Sequence, residues 1–313
     1  MKENMSQDSK TTQISVIRAK VLGYCMGVRR AVEIANKALL DYPNRNVWTL
    51  GPLIHNERAL NKLAEKGIKI LSEKDFSIIG NKDVVIIRAH GVPPTTIETL
   101  KAVGATIVDA TCPRVMLSQK RAADYAAKGI AVIIAGDKNH GEVAGIAGCT
   151  INSKAPSPKC LLIENKNDAK NIILAQKAGS IPSLPQQAAL ICQTTLSRVE
   201  YDAIAQELKK EIKNLEVLDT ICPATTERQE ALSALKNQVQ GVLIVGGKNS
   251  ANTQRLLMTA TNIFTHAALI ESALEIPSIF YTLNKVGIAA GASTPDEIIE
   301  EVENALKNHI AKV

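Results

Sequence analysis

The segment Asp109-Ala110-Thr111-Cys112-Pro113 nearly recurs as Asp219-Thr220-Ile221-Cys222-Pro223. In both copies an extended segment ends before the cysteine and a helical pattern begins after it. Cys25 also lies at the start of a helical pattern, with apolar residues recurring on one face. The three cysteines are 87 and 110 residues apart, which is too far for the close pairs of a structural zinc site. This spacing is typical of one cysteine in each of three similar units.

Short apolar runs alternate with helical patterns along the chain, which is typical of α/β units built on parallel sheets. Predicted strands include 84–87, 131–134 and 242–245. We expect three α/β units, which are 24–110, 111–218 and 219–313, the last joined by an N-terminal strand at 13–23.

Two local features give further expectations. The stretch 152–187 contains four prolines and a start rich in serine and lysine, so we expect an irregular excursion there. Thr294-Pro295-Asp296-Glu297 has the form of a capping box, which predicts a helix with a buried face at Ile298, Ile299, Val302 and Leu306.

Composition indicates an ordinary globular protein. The 313 residues are 45% hydrophobic and 22% charged. The first twenty residues lack the basic start and apolar run of a signal peptide, and no segment is long enough to cross a membrane. We therefore expect a cytoplasmic protein, in which cysteines stay reduced.

The net charge of +6 would suit an anionic substrate or an acidic protein partner. It does not indicate nucleic-acid binding, because the basic residues are scattered and few aromatic residues are available for base stacking.

Polar residues follow six of the predicted strands, at the edge of the sheet where α/β proteins bind ligands. His55, His90, His140, Thr194, Ser250 and Ser293 all lie in such segments, and Glu142 follows His140 by two residues. Hydroxyls, imidazoles and backbone N–H groups at helix starts are the groups that bind phosphate. The frames of a P-loop and of a dinucleotide-binding loop are both absent, so a nucleotide is not indicated.

The six cysteines divide into two groups. Cys149, Cys160 and Cys192 have flanks that do not recur, so we interpret them as small buried residues. Three thiolates from Cys25, Cys112 and Cys222 would make a site with one open corner, and an iron–sulfur cluster with an open corner can bind substrate. Zinc sites and redox disulfides are the rivals, but the chain lacks the close cysteine pairs that both need.

The chain also carries, in order, GYCMGVRRAVEIA (23–35), IHN (54–56), AHGVP (89–93), DATCP (109–113), HGE (140–142), QTTLS (193–197), DTICPATTERQEA (219–231), GGKNSANT (246–253) and AGAS (290–293). This set resembles the 4-hydroxy-3-methylbut-2-enyl diphosphate reductase family, which completes the methylerythritol phosphate route to isoprenoid precursors. The resemblance runs over nearly the whole chain.

The resemblance implies a trefoil of three α/β units with parallel sheets around a central [4Fe–4S] cluster, one per subunit, held by Cys25, Cys112 and Cys222. Glu142 would donate a proton. Substrate binding would fall to His55, His90, His140, Thr194, Thr225, Ser250, Asn252 and Ser293. One departure is Ala251, since some members have a second serine directly after the one that matches Ser250.

The implied reaction is the reductive removal of a hydroxyl group from (E)-4-hydroxy-3-methylbut-2-enyl diphosphate, which gives isopentenyl and dimethylallyl diphosphate. It uses two electrons and two protons, and the family takes its electrons from flavodoxin or ferredoxin. Two alternatives stay open at this point. An iron–sulfur dehydratase would consume no reductant, and an iron–sulfur sensor would not need Glu142 and six polar strand ends.

Overall fold

A computed structural model describes residues 13–72, 75–151, 160–180 and 184–309. Within these ranges the strands are β1 Ser15–Arg18, β2 Asn46–Leu50, β3 Ile68–Leu71, β4 Asp83–Ile87, β5 Thr106–Asp109, β6 Ala131–Ala135, β7 Cys160–Ile163, β8 Gln187–Cys192, β9 Asn214–Val217, β10 Gly241–Val245, β11 His266–Ile270 and β12 Lys285–Ala290. The α-helices are α1 Met26–Asp41, α2 Glu57–Glu65, α3 Pro94–Ala102, α4 Pro113–Ala127, α5 Gly141–Gly148, α6 Lys166–Lys177, α7 Arg198–Leu208, α8 Pro223–Ser233, α9 Ala251–Ile263 and α10 Asp296–Lys307.

The strands form three parallel sheets of four strands each. The sheet orders are β3-β2-β4-β5, β7-β6-β8-β9 and β1-β12-β10-β11. The predicted fold class, α/β with three similar units on parallel sheets, is confirmed. The chain divides into two compact units, of which one spans Tyr24–Glu227 and holds the first two sheets. The other joins the chain up to Gly23 to the chain from Arg228 onward and holds the third sheet.

One central strand of each sheet is almost wholly apolar, as is typical of parallel sheets that are covered on both faces. β4, β6 and β10 are buried at every position. In the third sheet, β1 pairs with β12 and lends an edge strand from the N-terminal part of the chain. In the first two sheets the connections from the two central strands leave in opposite directions, which opens a crevice at their carboxyl ends. In the third sheet α9 packs towards β11 and α10 towards β1, with the same result.

The expected irregular excursion at 152–187 is wrong for much of its length. Residues 152–159 and 181–183 lie outside the described residues, but β7 and α6 fill 160–177. The four prolines flank this segment, and the Asn165 side chain accepts a hydrogen bond from Asp168 N at 2.9 Å to start α6. A composition averaged over the stretch concealed both elements.

The expected capping box is also wrong, although the buried face of α10 forms as predicted. The helix begins at Asp296, and within the described chain no side-chain hydrogen bond caps it. Thr294 donates instead to the Val245 carbonyl at 2.9 Å, so its hydroxyl joins two strand ends of the third sheet. None of the described helices combines the length and apolar character needed to cross a bilayer.

Candidate active site

The predicted site residues follow the two central strands of each sheet, where the crevices open. In the first sheet His55 follows β2 and His90 follows β4. In the second sheet His140 and Glu142 follow β6, and Thr194 follows β8. Cys112 and Cys222 instead follow β5 and β9, which are edge strands. Each cysteine therefore lies where the chain leaves one sheet for the next helix.

His55, His90 and His140 form a compact cluster. The ring centroids are 4.7 Å apart for His55–His90, 5.0 Å for His90–His140 and 5.9 Å for His55–His140. One nitrogen from each ring lies within 4.8 Å of the others. The Nδ1 atom of His90 is buried and has no hydrogen-bond partner among the described residues. An atom of this kind is costly to bury unless a ligand completes it.

Two of the three rings, those of His55 and His90, favour the neutral form. Burial lowers the pKa of His90 well below its ordinary value, and the charges of His140, His55 and Arg88 lower it further. Burial and then the Arg88 charge also lower the pKa of His55. His140 accepts a hydrogen bond at Nδ1 from Glu142 N at 3.2 Å, so in the neutral ring the proton is on Nε2. His140 can therefore donate a hydrogen bond from Nε2 to a ligand.

Three neutral imidazoles can bind a metal ion or donate hydrogen bonds to an anion. The positive charge of Arg88 acts on two of the three rings, and it would repel a divalent cation there. The same charge attracts a phosphate. The cluster, with the amino end of α5 beside it, is thus better suited to an anion.

Glu142 is tightly held by Thr194. The carboxylate is 1% exposed, and its two oxygens accept hydrogen bonds from Thr194 N at 2.7 Å and Thr194 Oγ1 at 2.8 Å. The Thr194 carbonyl in turn accepts from Cys222 N at 2.8 Å and from Thr225 Oγ1 at 3.2 Å. A continuous chain of hydrogen bonds therefore joins the Glu142 carboxylate to the loop that carries the Cys222 thiol. Thr225 acts here on the Thr194 backbone.

Cys25, Cys112 and Cys222 lie at the amino ends of α1, α4 and α8. Val28 N donates to Cys25 Sγ at 3.5 Å. Burial raises the pKa of the Cys112 and Cys222 thiols, hydrogen bonds from the backbone of the following helix lower it, and the Cys25 sulfur raises both. The three sulfurs are therefore close enough to act on one another. Helix amino ends stabilise negative charge, as thiolate ligands need.

Gly27 shows how closely the sulfurs approach. A Cβ atom added there would lie 2.5 Å from Cys112 Sγ and 4.0 Å from Cys25 Sγ. Any larger residue would therefore occupy the space of the sulfurs. Three converging thiols with helix N–H groups aimed at them fit an iron–sulfur cluster that keeps one iron open to substrate.

Backbone hydrogen bonds tie the cysteine loops to the crevice loops. Cys112 N donates to the Ala89 carbonyl at 2.9 Å, just as Cys222 N donates to Thr194. Arg30, on α1, donates to the Thr111 carbonyl at 2.9 Å and so connects the helix of Cys25 with the loop of Cys112. These hydrogen bonds therefore fix two of the cysteine loops against the loops that carry His90 and Thr194.

The third sheet carries its own polar crevice. Ser250 accepts a hydrogen bond from Thr253 N at 3.4 Å and caps α9, Ala251 is the first residue of that helix, and Asn252 is the second. The Nδ2 atom of Asn252 is buried without a partner among the described residues. Ser293 follows β12, which is the neighbour of β10 in the sheet. Unsatisfied amide hydrogens at a helix amino end are suited to a phosphate oxygen.

The other three cysteines are not among the thiols at the amino ends of α1, α4 and α8. Cys192 is buried in β8, where its Sγ atom is 3.2 Å from Thr220 Oγ1, and burial raises its pKa to about 12. Burial also raises the pKa of Cys149, to about 11, and that of Cys160. The raised pKa values favour the protonated thiols. Cys192 is buried as predicted, whereas Cys149 and Cys160 are only half-buried and pack against the core.

Two residues at the site escaped the sequence analysis. Gly27 and Arg88 lie inside or beside the motifs GYCMGVRRAVEIA and AHGVP, so their position in the chain was a signal. Their roles depend on neighbours from other parts of the chain, and the local pattern does not reveal those neighbours.

Comparisons with known proteins agree on one family. The family model described as LytB protein matches residues 16–307. A 4-hydroxy-3-methylbut-2-enyl diphosphate reductase from Treponema denticola is 45% identical over 295 residues, covering 93% of this chain and 98% of that protein. A solved (E)-4-hydroxy-3-methyl-but-2-enyl diphosphate reductase, called the terminal enzyme of the non-mevalonate pathway, has 34% identity and a TM-score of 0.68, covering 95% of this chain and all of the other. An E-1-hydroxy-2-methyl-but-2-enyl-4-diphosphate reductase from Plasmodium falciparum has 26% identity and a TM-score of 0.83, covering 95% and 89%.

Proposed function

The chain belongs to the LytB protein family, and we propose that it is the oxidoreductase that converts (E)-4-hydroxy-3-methylbut-2-enyl diphosphate to isopentenyl and dimethylallyl diphosphate. The reaction consumes two electrons and two protons and releases water. The observation that carries the proposal is the hydrogen-bond chain from Glu142 through Thr194 to the Cys222 loop. It connects a proton donor with a thiol site, which is what a coupled reduction and dehydration needs.

We assign a [4Fe–4S] cluster, one per subunit, to Cys25, Cys112 and Cys222. When bound, the cluster supplies single electrons and a Lewis-acidic iron. The electrons would come from a flavodoxin or a ferredoxin, and the expected location is the cytoplasm.

Glu142 and Thr194 carry the proton chemistry in this proposal. Hydroxide is a poor leaving group, so the substrate oxygen must be protonated as its bond to carbon breaks. In the structure the Thr194 hydroxyl donates to Glu142. Once Glu142 is protonated this bond can reverse, because the carboxylic acid then donates to the Thr194 oxygen and the Thr194 hydroxyl donates to the leaving oxygen. In this arrangement a proton held by Glu142 passes to the leaving oxygen through Thr194. Burial of this pair keeps bulk water from competing for the proton.

The diphosphate would be bound by neutral donors. His140 offers Nε2–H, and the unpaired Nδ1 of His90 can donate a hydrogen bond in the tautomer that carries its proton there. His55 completes the cluster, and the amino end of α5 adds backbone N–H groups. We propose that Ser250, Asn252 and Ser293 of the third sheet also donate to phosphate oxygens. Binding of this kind fixes the orientation of the substrate and contributes alike to ground and transition states.

Anaerobic turnover tests the function. The protein is purified without oxygen and incubated with the substrate and reduced methyl viologen, and both products and viologen oxidation are followed. We expect two viologen radicals to be oxidised for each product molecule formed. Dehydration without viologen oxidation would identify a Lewis-acid dehydratase instead. A cluster that is oxidised and reduced with no conversion of substrate would indicate a sensor.

A further inference from the structure

Arg88 lies against the first residue of α5, beside the histidine cluster formed by His55, His90 and His140. A Cβ atom added to Gly141 would meet the Arg88 guanidinium, at 2.9 Å from Cζ and 3.2 Å from Nε. Gly141 does not have a positive φ, so a side chain there would be opposed by this close approach and not by backbone strain. The guanidinium therefore lies against the amino end of α5, in space that a side chain at position 141 would enter.

A cation at this place opposes the helix dipole, because the amino end of a helix carries partial positive charge. An anion bound there would be attracted by the guanidinium and by the helix together. The Arg88 charge also acts on both His55 and His90. A multiply charged anion at the cluster would therefore lie close to both the Arg88 charge and the amino end of α5.

We propose that Arg88 is a positioning residue for the diphosphate, which supplies a permanent positive charge at the histidine cluster before any histidine takes up a proton. The inference rests on the proposed function and adds a residue to it. Arg88 would attract the diphosphate by its charge, and the histidines would orient it by hydrogen bonds.

The charged and titratable groups around the cluster are consistent with a charge supplied by Arg88 and hydrogen bonds supplied by the histidines. His90 faces His55, His140 and Arg88, and each of these three opposes its protonation. Glu142 has both oxygens on Thr194. In the turn before α5, Lys138 pairs with Glu164 and Asp168, and the Asp137 carbonyl accepts from His140 N. Burial is the largest cause of the low pKa of His90 and the Arg88 charge adds to it, so removing Arg88 would make protonation of His90 easier.

The test measures binding of inorganic pyrophosphate to the cluster-loaded protein by anaerobic titration calorimetry at pH 6 and pH 8. Titrations in two buffers of different ionisation enthalpy give the number of protons taken up. For Arg88→Gln we expect affinity to fall about tenfold to a hundredfold at pH 8, the value of a lost hydrogen bond between charged groups. At pH 6 the loss should shrink several-fold, and proton uptake on binding should rise.

Two further variants separate charge from structure. Arg88→Lys keeps the charge, so it should keep the small pH dependence of the parent protein. Lys82→Gln removes one positive charge directly before β4, at the opposite end of the strand that Arg88 follows, and should change nothing. Cluster absorbance is recorded for each variant as a check of folding.

The outcomes are distinct. If Arg88→Gln loses the same affinity at both pH values, or if Arg88→Lys behaves as Arg88→Gln does, the inference is overturned and Arg88 only supports the loop. If pyrophosphate binds parent and Arg88→Gln alike and competes with substrate, the inference fails while the proposed function stands. If pyrophosphate does not compete with substrate in the parent protein, the histidine cluster is not the diphosphate site and the inference fails. The proposed function also fails only if the same protein does not convert the substrate in the turnover assay.

Discussion

The substitution Glu142→Gln distinguishes two roles of this side chain, which are donating a proton and making the hydrogen bonds that hold Thr194. In the parent protein both carboxylate oxygens accept from Thr194, one from the backbone N–H and one from the hydroxyl. Glutamine keeps one oxygen for the N–H. Its amide nitrogen can donate to the hydroxyl, because a threonine hydroxyl both donates and accepts. The buried pair therefore stays satisfied, and the variant should fold and hold its cluster.

The expected magnitudes follow from that geometry. Replacing charged hydrogen bonds by neutral ones should reduce the free energy of unfolding by about 1–2 kcal/mol. Loss of a positioned general acid should lower kcat by about 10² or more, which corresponds to about 2.7 kcal/mol of activation free energy. KM should change by less than about threefold, because the diphosphate contacts assigned to the histidines remain.

The assay is anaerobic steady-state turnover, with iron and sulfide content measured on the same samples. Glu200→Gln is the matched control, since Glu200 also lies in the first turn of a helix and accepts a backbone hydrogen bond, from Lys166 N at 2.8 Å. It should leave kcat unchanged. Near-normal kcat in Glu142→Gln would remove Glu142 from the proton path. Loss of iron in that variant would mean that Glu142 supports the thiol site.

Three further predictions concern the same unit. Gly27→Ala should lower bound iron and sulfide by at least about half, because its Cβ would lie 2.5 Å from Cys112 Sγ and overpacking of this kind costs about 1–3 kcal/mol. Gly80→Ala is the control, since its Cβ would meet no described atom within 4 Å, and it should bind a full complement of iron and sulfide. Equal loss in both variants would refute the reasoning. His90 has a folded-state pKa below its unfolded value, so the unfolded chain takes up the proton first and the free energy of unfolding falls as pH drops below about 6.5. In anaerobic urea unfolding, His90→Asn should reduce the slope of unfolding free energy against pH by up to about 1.4 kcal/mol per pH unit. An unchanged slope would contradict the prediction. Cys112→Ser should abolish cluster binding while Cys192→Ala keeps full iron content, and iron loss in Cys192→Ala would overturn the division of the cysteines.

The sequence by itself determined where most strands and helices form and which reactive side chains follow the strands. Fully apolar runs such as 84–87 and 131–134 became central strands, because a run with no polar face is stable only when covered on both sides. The near-repeat around Cys112 and Cys222 marked equivalent turns, since the same local residues favour the same transition from strand to helix. Where composition was averaged over a long stretch, as at 152–187, the strand and helix within it were missed.

Tertiary structure alone decided which of these ends meet. Cys112 follows an edge strand and His90 a central one, yet the bond from Cys112 N to the Ala89 carbonyl brings their loops together. Thr294 has the form of a helix cap, but its hydroxyl donates to the Val245 carbonyl because the sheet places that acceptor closer. In the sequence Arg88 has no feature that distinguishes it from other cations, and only the fold shows that it lies against the first residue of α5. Local propensity acts over a few residues, whereas sheet order sets distances between residues far apart in the chain. For that reason only the fold shows that Arg88 lies beside the histidine cluster and that Glu142 is hydrogen-bonded to Thr194.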